Sequence, residues 1–209
     1  MPSLFANRGR WQGTGLATQE LQEDSAGYGM TEQAGKAGPV TRFLTEDHRR
    51  LDALLQSAVN GHQVVDLVAY GQFRAGLLRH IGMEEKILLP ALQRLRGGPP
   101  FPGAAKLRRD HGALAALLMP TPTPAILAAI RAVLSAHNRL EEGLDGLYAT
   151  SDQVLGSEAA EILARLRAAP QVTVTPPSDN PAVMKTLRAA LERAGYRLSD
   201  YEQSGETEQ

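Results

Sequence analysis

The chain of 209 residues is 43% hydrophobic and carries 22 basic against 23 acidic side chains, so it can bury a core but has no excess positive charge for nucleic-acid binding. It contains no cysteine, which excludes disulfides, thiolate metal ligands and iron–sulfur clusters. Because neither an apolar run of about 18 residues nor a signal peptide can be recognised, we expect a cytoplasmic protein with no membrane partner.

The first part of the sequence changes character at Pro39. Residues 1–38 are rich in Gly, Gln, Ser and Thr without helical periodicity, which predicts a disordered N-terminal tail. From Pro39, apolar residues recur at three- and four-residue spacing as far as Asn60-Gly61, which predicts an amphipathic helix that ends there. A second helix is predicted over about residues 64–95, and Pro90 is expected to bend or interrupt it near its end.

The next segment predicts two further helices. A turn cluster at residues 97–100, Gly-Gly-Pro-Pro, separates them from the first two. They are predicted over about residues 103–118 and 124–148. Because short loops between helices favour antiparallel neighbours, we predict an all-α fold, an up-down-up-down four-helix bundle, within residues 39–150.

Residues 151–201 are predicted to form a short C-terminal helical extension, followed by a disordered tail at 202–209. The extension contains a helix over about residues 156–168 and a last helix over residues 180–195, which starts with a cap residue and a proline. The apolar stripe of the last helix must cover the bundle, a second copy of the chain or another partner. Packing on the bundle is the preferred interpretation, and we expect a monomer or a weak homodimer.

One pattern occurs twice within the predicted bundle. In each copy, a helix that carries Asp-His is followed by a helix that carries His-x-x-x-Glu-Glu. The first copy reads Asp47-His48-x-x-Leu51-x-Ala53-Leu54-Leu55 and then His80-x-x-Met83-Glu84-Glu85. The second copy reads Asp110-His111-x-x-Leu114-x-Ala116-Leu117-Leu118 and then His137-x-x-Leu140-Glu141-Glu142. Duplication explains the shared leucines and alanines as core positions, but it does not require a histidine on all four helices.

A buried metal site would require those histidines. Residues four apart lie on one face of a helix, so each His-x-x-x-Glu pair presents an imidazole nitrogen and a carboxylate in the same direction. The predicted ligands are His48, His80, Glu84, His111, His137 and Glu141. Four imidazoles and two carboxylates suit two metal ions bridged by the carboxylates, and without thiolate they favour iron, manganese or zinc.

The order His, His-x-x-x-Glu, His, His-x-x-x-Glu resembles the hemerythrin-like (HHE cation-binding) family of non-haem di-iron proteins over about residues 40–150. The resemblance implies two iron ions, which an oxo group can bridge, held by the six residues above with Glu84 and Glu141 as bridging ligands. It also implies that the centre binds O2, NO or peroxide, in sensing, in a nitrosative or oxidative stress response, or in iron handling. Whether the protein is an enzyme is left open.

The sequence departs from the oxygen-carrying members of this family at two positions. Those proteins have a further histidine where this chain has Ala115. Their last ligand is a carboxylate five residues after the last histidine, often aspartate, whereas the repeat in this chain supports Glu141, four residues after His137, over Glu142. The set of four histidines is closer to the bacterial repair-of-iron-centres proteins, which usually carry a cysteine-bearing N-terminal segment that this chain lacks.

The polar neighbours of the ligands are expected to have lesser roles. Glu85 is predicted to be solvated, and Glu142 is predicted not to be a metal ligand. Asp47 and Asp110 either orient ligands or occupy exposed faces; adjacent residues point about 100° apart on a helix, which argues against a bond to the histidine beside them. His62 is predicted to lie exposed in a loop.

Three other classes of protein match the sequence less well. Ferritin-like oxidases need glutamate three residues before histidine, and these positions hold Thr45, Leu77, Arg108 and Leu134. Histidine phosphotransfer bundles need one exposed histidine near basic residues; Arg49 and Arg50 follow His48, but the other histidines stay unexplained. A zinc-dependent hydrolase on a DinB-like four-helix bundle, typically with a His-x-x-x-His pair that is absent here, is the alternative function.

Overall fold

The computed structural model describes residues 37–59 and 65–202. The predicted N-terminal and C-terminal tails lie almost entirely outside these residues, and so does the predicted loop around His62. Within them the chain forms nine α-helices, one π-helical turn and one 3₁₀ turn, and no strand. The helices are α1 Pro39–Ala58, α2 Leu67–Met83, α3 Leu89–Leu95, α4 Ala104–Leu117, α5 Pro124–Glu142, α6 Leu147–Leu155, α7 Ala159–Arg167, α8 Pro181–Ala194 and α9 Ser199–Glu202.

Two apolar cores occupy the two ends of the bundle. The α8-side core includes Leu51, Leu55, Phe73, Leu77, Leu114, Leu117, Ile130, Val133, Leu187 and Leu191. The α6-side core includes Val40, Leu44, Met83, Leu88, Leu92, Leu107, Leu147, Tyr148, Ile162 and Leu166. Along the chain, α1 and α4 pass from the α6-side core to the α8-side core, whereas α2 and α5 run the opposite way. The predicted all-α, up-down-up-down bundle is therefore confirmed.

The second helix of the bundle is continuous from Leu67 to Leu95, but it changes pitch in the middle. A π-helical turn, Glu84–Leu88, joins α2 to α3, and the Leu89 N–H donates to the Glu84 carbonyl. Pro90 has no N–H, and in a regular α-helix its ring would clash with the carbonyl four residues earlier. Since the wider turn ends just before Pro90, the helix continues past the proline with a local change of winding rather than an interruption.

The fourth helix of the bundle ends earlier than predicted. α5 stops at Glu142, and residues 143–146 form a tight turn in which the Gly146 N–H donates to the Gly143 carbonyl at 2.8 Å. A Cβ atom at residue 146 would lie 2.5 Å from the Glu141 carbonyl oxygen, so this turn requires glycine there. The predicted helix over 124–148 is therefore wrong beyond residue 142, and Tyr148 belongs to a separate helix, α6.

The C-terminal extension packs on the bundle, as preferred from the sequence. α8 is capped by Asn180 and ends at Gly195, whose φ is 91°. Its buried stripe joins the α8-side core against α4. The segment before α8 is held by buried Arg74, which donates to the carbonyls of Leu118 at 2.7 Å and Thr175 at 2.9 Å.

Candidate metal centre

A buried polar layer separates the two apolar cores, and it contains all six predicted ligands. Each of them is at most 7% exposed. Their ligand atoms form two groups of four, within which all atoms lie inside 4.8 Å of one another. The first half-site consists of His48, His80, Glu84 and Glu141, and the second of Glu84, His111, His137 and Glu141. Metal binding by these residues stays a prediction, but the fold brings together the set that the repeat predicts.

The two glutamates belong to both half-sites because each directs one oxygen to each. Glu84 places Oε1 3.3 Å from His80 Nε2 and Oε2 3.1 Å from His111 Nε2. Glu141 places Oε2 3.4 Å from His48 Nε2 and Oε1 3.1 Å from His137 Nε2. This division of oxygens is the one that a carboxylate bridging two cations would show.

The four histidines turn the same ring nitrogen towards the centre. His48 Nε2 lies 2.9 Å from His80 Nε2, and His111 Nε2 lies 3.2 Å from His137 Nε2. Each Nδ1 faces a carboxylate on a neighbouring helix: Glu142 at 2.5 Å from His48, Asp47 at 2.9 Å from His80, Glu85 at 2.7 Å from His111 and Asp110 at 3.8 Å from His137. A carboxylate that accepts from Nδ1–H leaves the Nε2 lone pair free to bind a metal.

These contacts revise the roles expected for the polar neighbours. Glu85, which was predicted to be solvated, is 25% exposed in its side chain and contacts both His111 and Arg108. Glu142 lies outside both half-sites as expected, yet it holds His48 in place. Asp47 bonds to a histidine on the next helix of the bundle rather than to the one adjacent in sequence, and Asp110 faces His137 of the next helix at 3.8 Å without a hydrogen bond. Packing of neighbouring helices, which a single helical wheel does not show, produces all four contacts.

Charge in the layer is balanced by protons on histidine. Burial lowers the pKa of His80, but Glu84 and Asp47 raise it further, to about 10. Burial likewise lowers the pKa of His137, and Asp110 and Glu141 raise it, to about 9. Burial raises the pKa of Glu84, but the positive charge of His80 brings it well below its ordinary value. In the absence of a cation, the charge of buried Glu84 is therefore balanced by protonated His80.

The donor set fits a pair of bound cations. Glu84 Oε2 and Glu141 Oε1 are buried without a hydrogen-bond partner among the described residues, and so are Asp110 Oδ2 and His137 Nδ1. A buried carboxylate oxygen without a partner is costly, and a cation in each half-site would satisfy both glutamates at once. Imidazole nitrogen and carboxylate oxygen are ligands of iron, manganese and zinc.

Tyr148 also enters the polar layer, and the sequence pattern did not predict it. Its hydroxyl donates to Glu84 Oε1 at 2.6 Å and lies 3.2 Å from Glu141 Oε2. It is also 3.0 Å from His48 Nε2 and 3.3 Å from His80 Nε2. Burial, and then the facing charges of Glu141 and Glu84, raise the pKa of Tyr148 well above its ordinary value. The glycines of the turn at 143–146 were the one available signal, because they mark the break that starts α6.

The helix that carries Tyr148 is anchored to α1 through Asp152. One turn after Tyr148, the Asp152 carboxylate accepts from the backbone N–H groups of Val40 and Thr41, both at 3.2 Å. These N–H groups lie at the start of α1, where a helix provides no acceptor of its own for them. A Cβ atom on Gly38 would collide with the Asp152 carboxyl group, so glycine there permits the close approach. α6 is thereby fixed against the first bundle helix, and the tyrosine ring with it.

None of the described helices is long and apolar enough to cross a membrane.

Residues 40–119 match the family model of the hemerythrin HHE cation-binding domain. The matched segment spans α1 to α4 and includes four of the six predicted ligands; His137 and Glu141 follow it. Comparison with curated proteins and with solved structures gave no significant match.

Proposed function

From the hemerythrin HHE cation-binding domain that this chain carries, we propose that the protein is a cytoplasmic non-haem di-iron protein. Its centre is proposed to bind O2, NO or peroxide, in sensing, in a nitrosative or oxidative stress response, or in iron handling. The observation that supports this most is the division of the two buried glutamates, each of which turns one oxygen to each half-site.

The protein's own residues prepare the centre for two cations. Carboxylates bonded to Nδ1 hold His48, His80 and His111 in one orientation, so these imidazoles need little ordering when metal binds. The apolar cores on both sides of the polar layer keep bulk water from it. When bound, iron would supply a reversible change of oxidation state and a coordination position for a small ligand.

A pocket at the bundle surface offers a path to this layer. It has a volume of about 540 Å³ and lies between α1 and α5. Leu51, Leu55 and Leu134 form its apolar wall, and His48 is the one predicted ligand that lines it. A diatomic molecule or peroxide would approach the centre from the His48 side through this pocket.

Metal analysis of protein purified without oxygen from iron-replete cells tests the proposal. We expect two irons per chain, and an absorption spectrum that changes when O2 or NO is added. His137→Ala should lose most of the metal, whereas Arg139→Ala, an exposed position on the same helix bonded only to Ser135, should keep it. One metal per chain would contradict the di-iron assignment, and zinc alone would favour the zinc-dependent hydrolase instead.

A further inference from the structure

The two half-sites are equivalent in their histidines and glutamates but differ in Tyr148. All polar contacts of its hydroxyl are to atoms of the first half-site: His48 Nε2, His80 Nε2, and the glutamate oxygens that face them. Among the described residues, no hydroxyl group contacts His111 or His137. The tyrosine is fully buried, so these contacts are also its only polar environment.

The spacing of these atoms is that of ligands around one metal ion. Ligands about 2.1 Å from an ion in octahedral coordination lie about 3.0 Å apart at adjacent positions. The Tyr148 oxygen lies 2.6–3.3 Å from all four donor atoms of the first half-site. The donors themselves lie 2.9 Å apart between His48 and His80, 3.3 Å between His80 and Glu84, and 3.4 Å between His48 and Glu141. Tyr148 therefore adds a fifth atom at ligand spacing to the four donors of the first half-site.

The position of the hydroxyl is enforced by the backbone. The turn at 143–146 admits no side chain at Gly146, and Asp152 ties the same helix to the N-terminus of α1. Tyr148 is also a buried member of the α6-side core. A ligand fixed in this way loses little conformational freedom on binding, which is what a metal site requires of its donors.

We propose that Tyr148 ligates the metal ion of the first half-site through its phenolate oxygen. The inference rests on the proposed di-iron function. An oxygen–iron bond forms, the hydroxyl proton is released to solvent, and no electron is transferred. Phenolate is an established ligand of iron. The first ion would then have five protein donors and the second four.

The test is spectroscopic and uses the full-length protein reconstituted with iron and oxidised. A phenolate bound to iron(III) gives a visible charge-transfer band and tyrosinate vibrations enhanced in resonance Raman spectra. We expect both in the wild type, and their loss in Tyr148→Phe with iron still bound by the six other ligands. Tyr70→Phe is the matched control, since Tyr70 is equally buried in the α8-side core and its hydroxyl has no partner among the described residues.

Labelling keeps the inference testable if Tyr148→Phe fails to fold. Wild-type protein grown with ring-deuterated tyrosine should show the tyrosinate vibrations shifted, and the chain has only five tyrosines. Two irons per chain without a tyrosinate signal would overturn the inference and leave the di-iron function standing. A signal that persists in Tyr148→Phe would also overturn it. Wild-type protein that binds no iron would overturn both.

Discussion

Replacing Asp47 by asparagine tests whether the carboxylates around the histidines control metal affinity. Asp47 Oδ2 accepts from His80 Nδ1 at 2.9 Å, and the aspartate is 8% exposed. Burial raises the pKa of Asp47, but its bonds with His80 and Arg50 lower it to about 2, so it is charged throughout the working range. The Asp47→Asn substitution would keep the size of the side chain but remove the charge that fixes the His80 tautomer.

The expected loss is about 10- to 100-fold in iron(II) affinity, or about 1.4–2.7 kcal/mol, as for other carboxylates that support a metal-bound histidine. Asp110→Asn should have a smaller effect, because its Oδ2 is 3.8 Å from His137 and its other oxygen pairs with Lys106. Asp52→Asn is the control, since Asp52 is exposed on α1 and bonds only to Gln56.

The assay is competition for iron(II) against a chromophoric chelator under anaerobic conditions, with the melting temperature of each variant measured beside it. If Asp47→Asn binds iron as tightly as Asp52→Asn, His80 does not depend on Asp47 for its orientation, and the reasoning is refuted. A drop in melting temperature without a drop in affinity would have the same meaning, because the contact would then serve the fold alone.

Three further outcomes are expected. Removing metal should lower the melting temperature more than the His80→Ala/His137→Ala double substitution does. Calorimetry should also show that the difference in melting temperature between metal-bound and metal-free protein widens from pH about 6.5 to about 9, and a difference that narrows would contradict this. The reason is that protonated His80 stabilises the metal-free fold below its unfolded pKa, and this contribution is lost as pH rises through about 10, while metal binding strengthens. Leu191→Ala should cost about 2–5 kcal/mol in denaturant unfolding, because Leu191 is fully buried against α4, and a cost under about 1 kcal/mol would mean that α8 is dispensable. Gly146→Ala should cost about 1–3 kcal/mol by the same assay and weaken the Tyr148 contacts, whereas Gly112→Ala, which meets no atom within 4 Å, should be neutral or stabilising.

The parts of the fold that the sequence predicted well are those governed by local spacing. Apolar residues at three- and four-residue intervals place the four bundle helices within a few residues of their observed bounds, except at the end of α5, which was predicted at residue 148 and lies at Glu142. The His-x-x-x-Glu spacing fixes a ligand pair within one helical turn, so His80 with Glu84 and His137 with Glu141 are the surest members of the set. Their repetition then predicts that the two pairs face each other, and the structure places them so.

What the sequence did not predict depends on contacts between elements. Glu85 and Glu142 lie off the ligand face of their own helices, and only the neighbouring helix brings a histidine to them. Tyr148 belongs to no periodic pattern of the bundle, and its place follows from a turn whose close approach at Gly146 is visible only in three dimensions. The π-helical turn at Glu84–Leu88 likewise leaves no mark in the sequence beyond Pro90.

The four carboxylate–histidine pairs connect each bundle helix to the next, all the way around the bundle. Asp47 of α1 reaches α2, Glu85 of the π-helical turn reaches α4, Asp110 of α4 reaches α5, and Glu142 of α5 returns to α1. Each bundle helix thus contributes the carboxylate of one pair and the histidine of another. Sliding any single helix by one turn, about 5.4 Å, would break both of its contacts. Leucines and alanines can pack against one another in more than one alignment of the helices. The four carboxylate–histidine pairs therefore select the longitudinal register in which the six ligands lie at the same height.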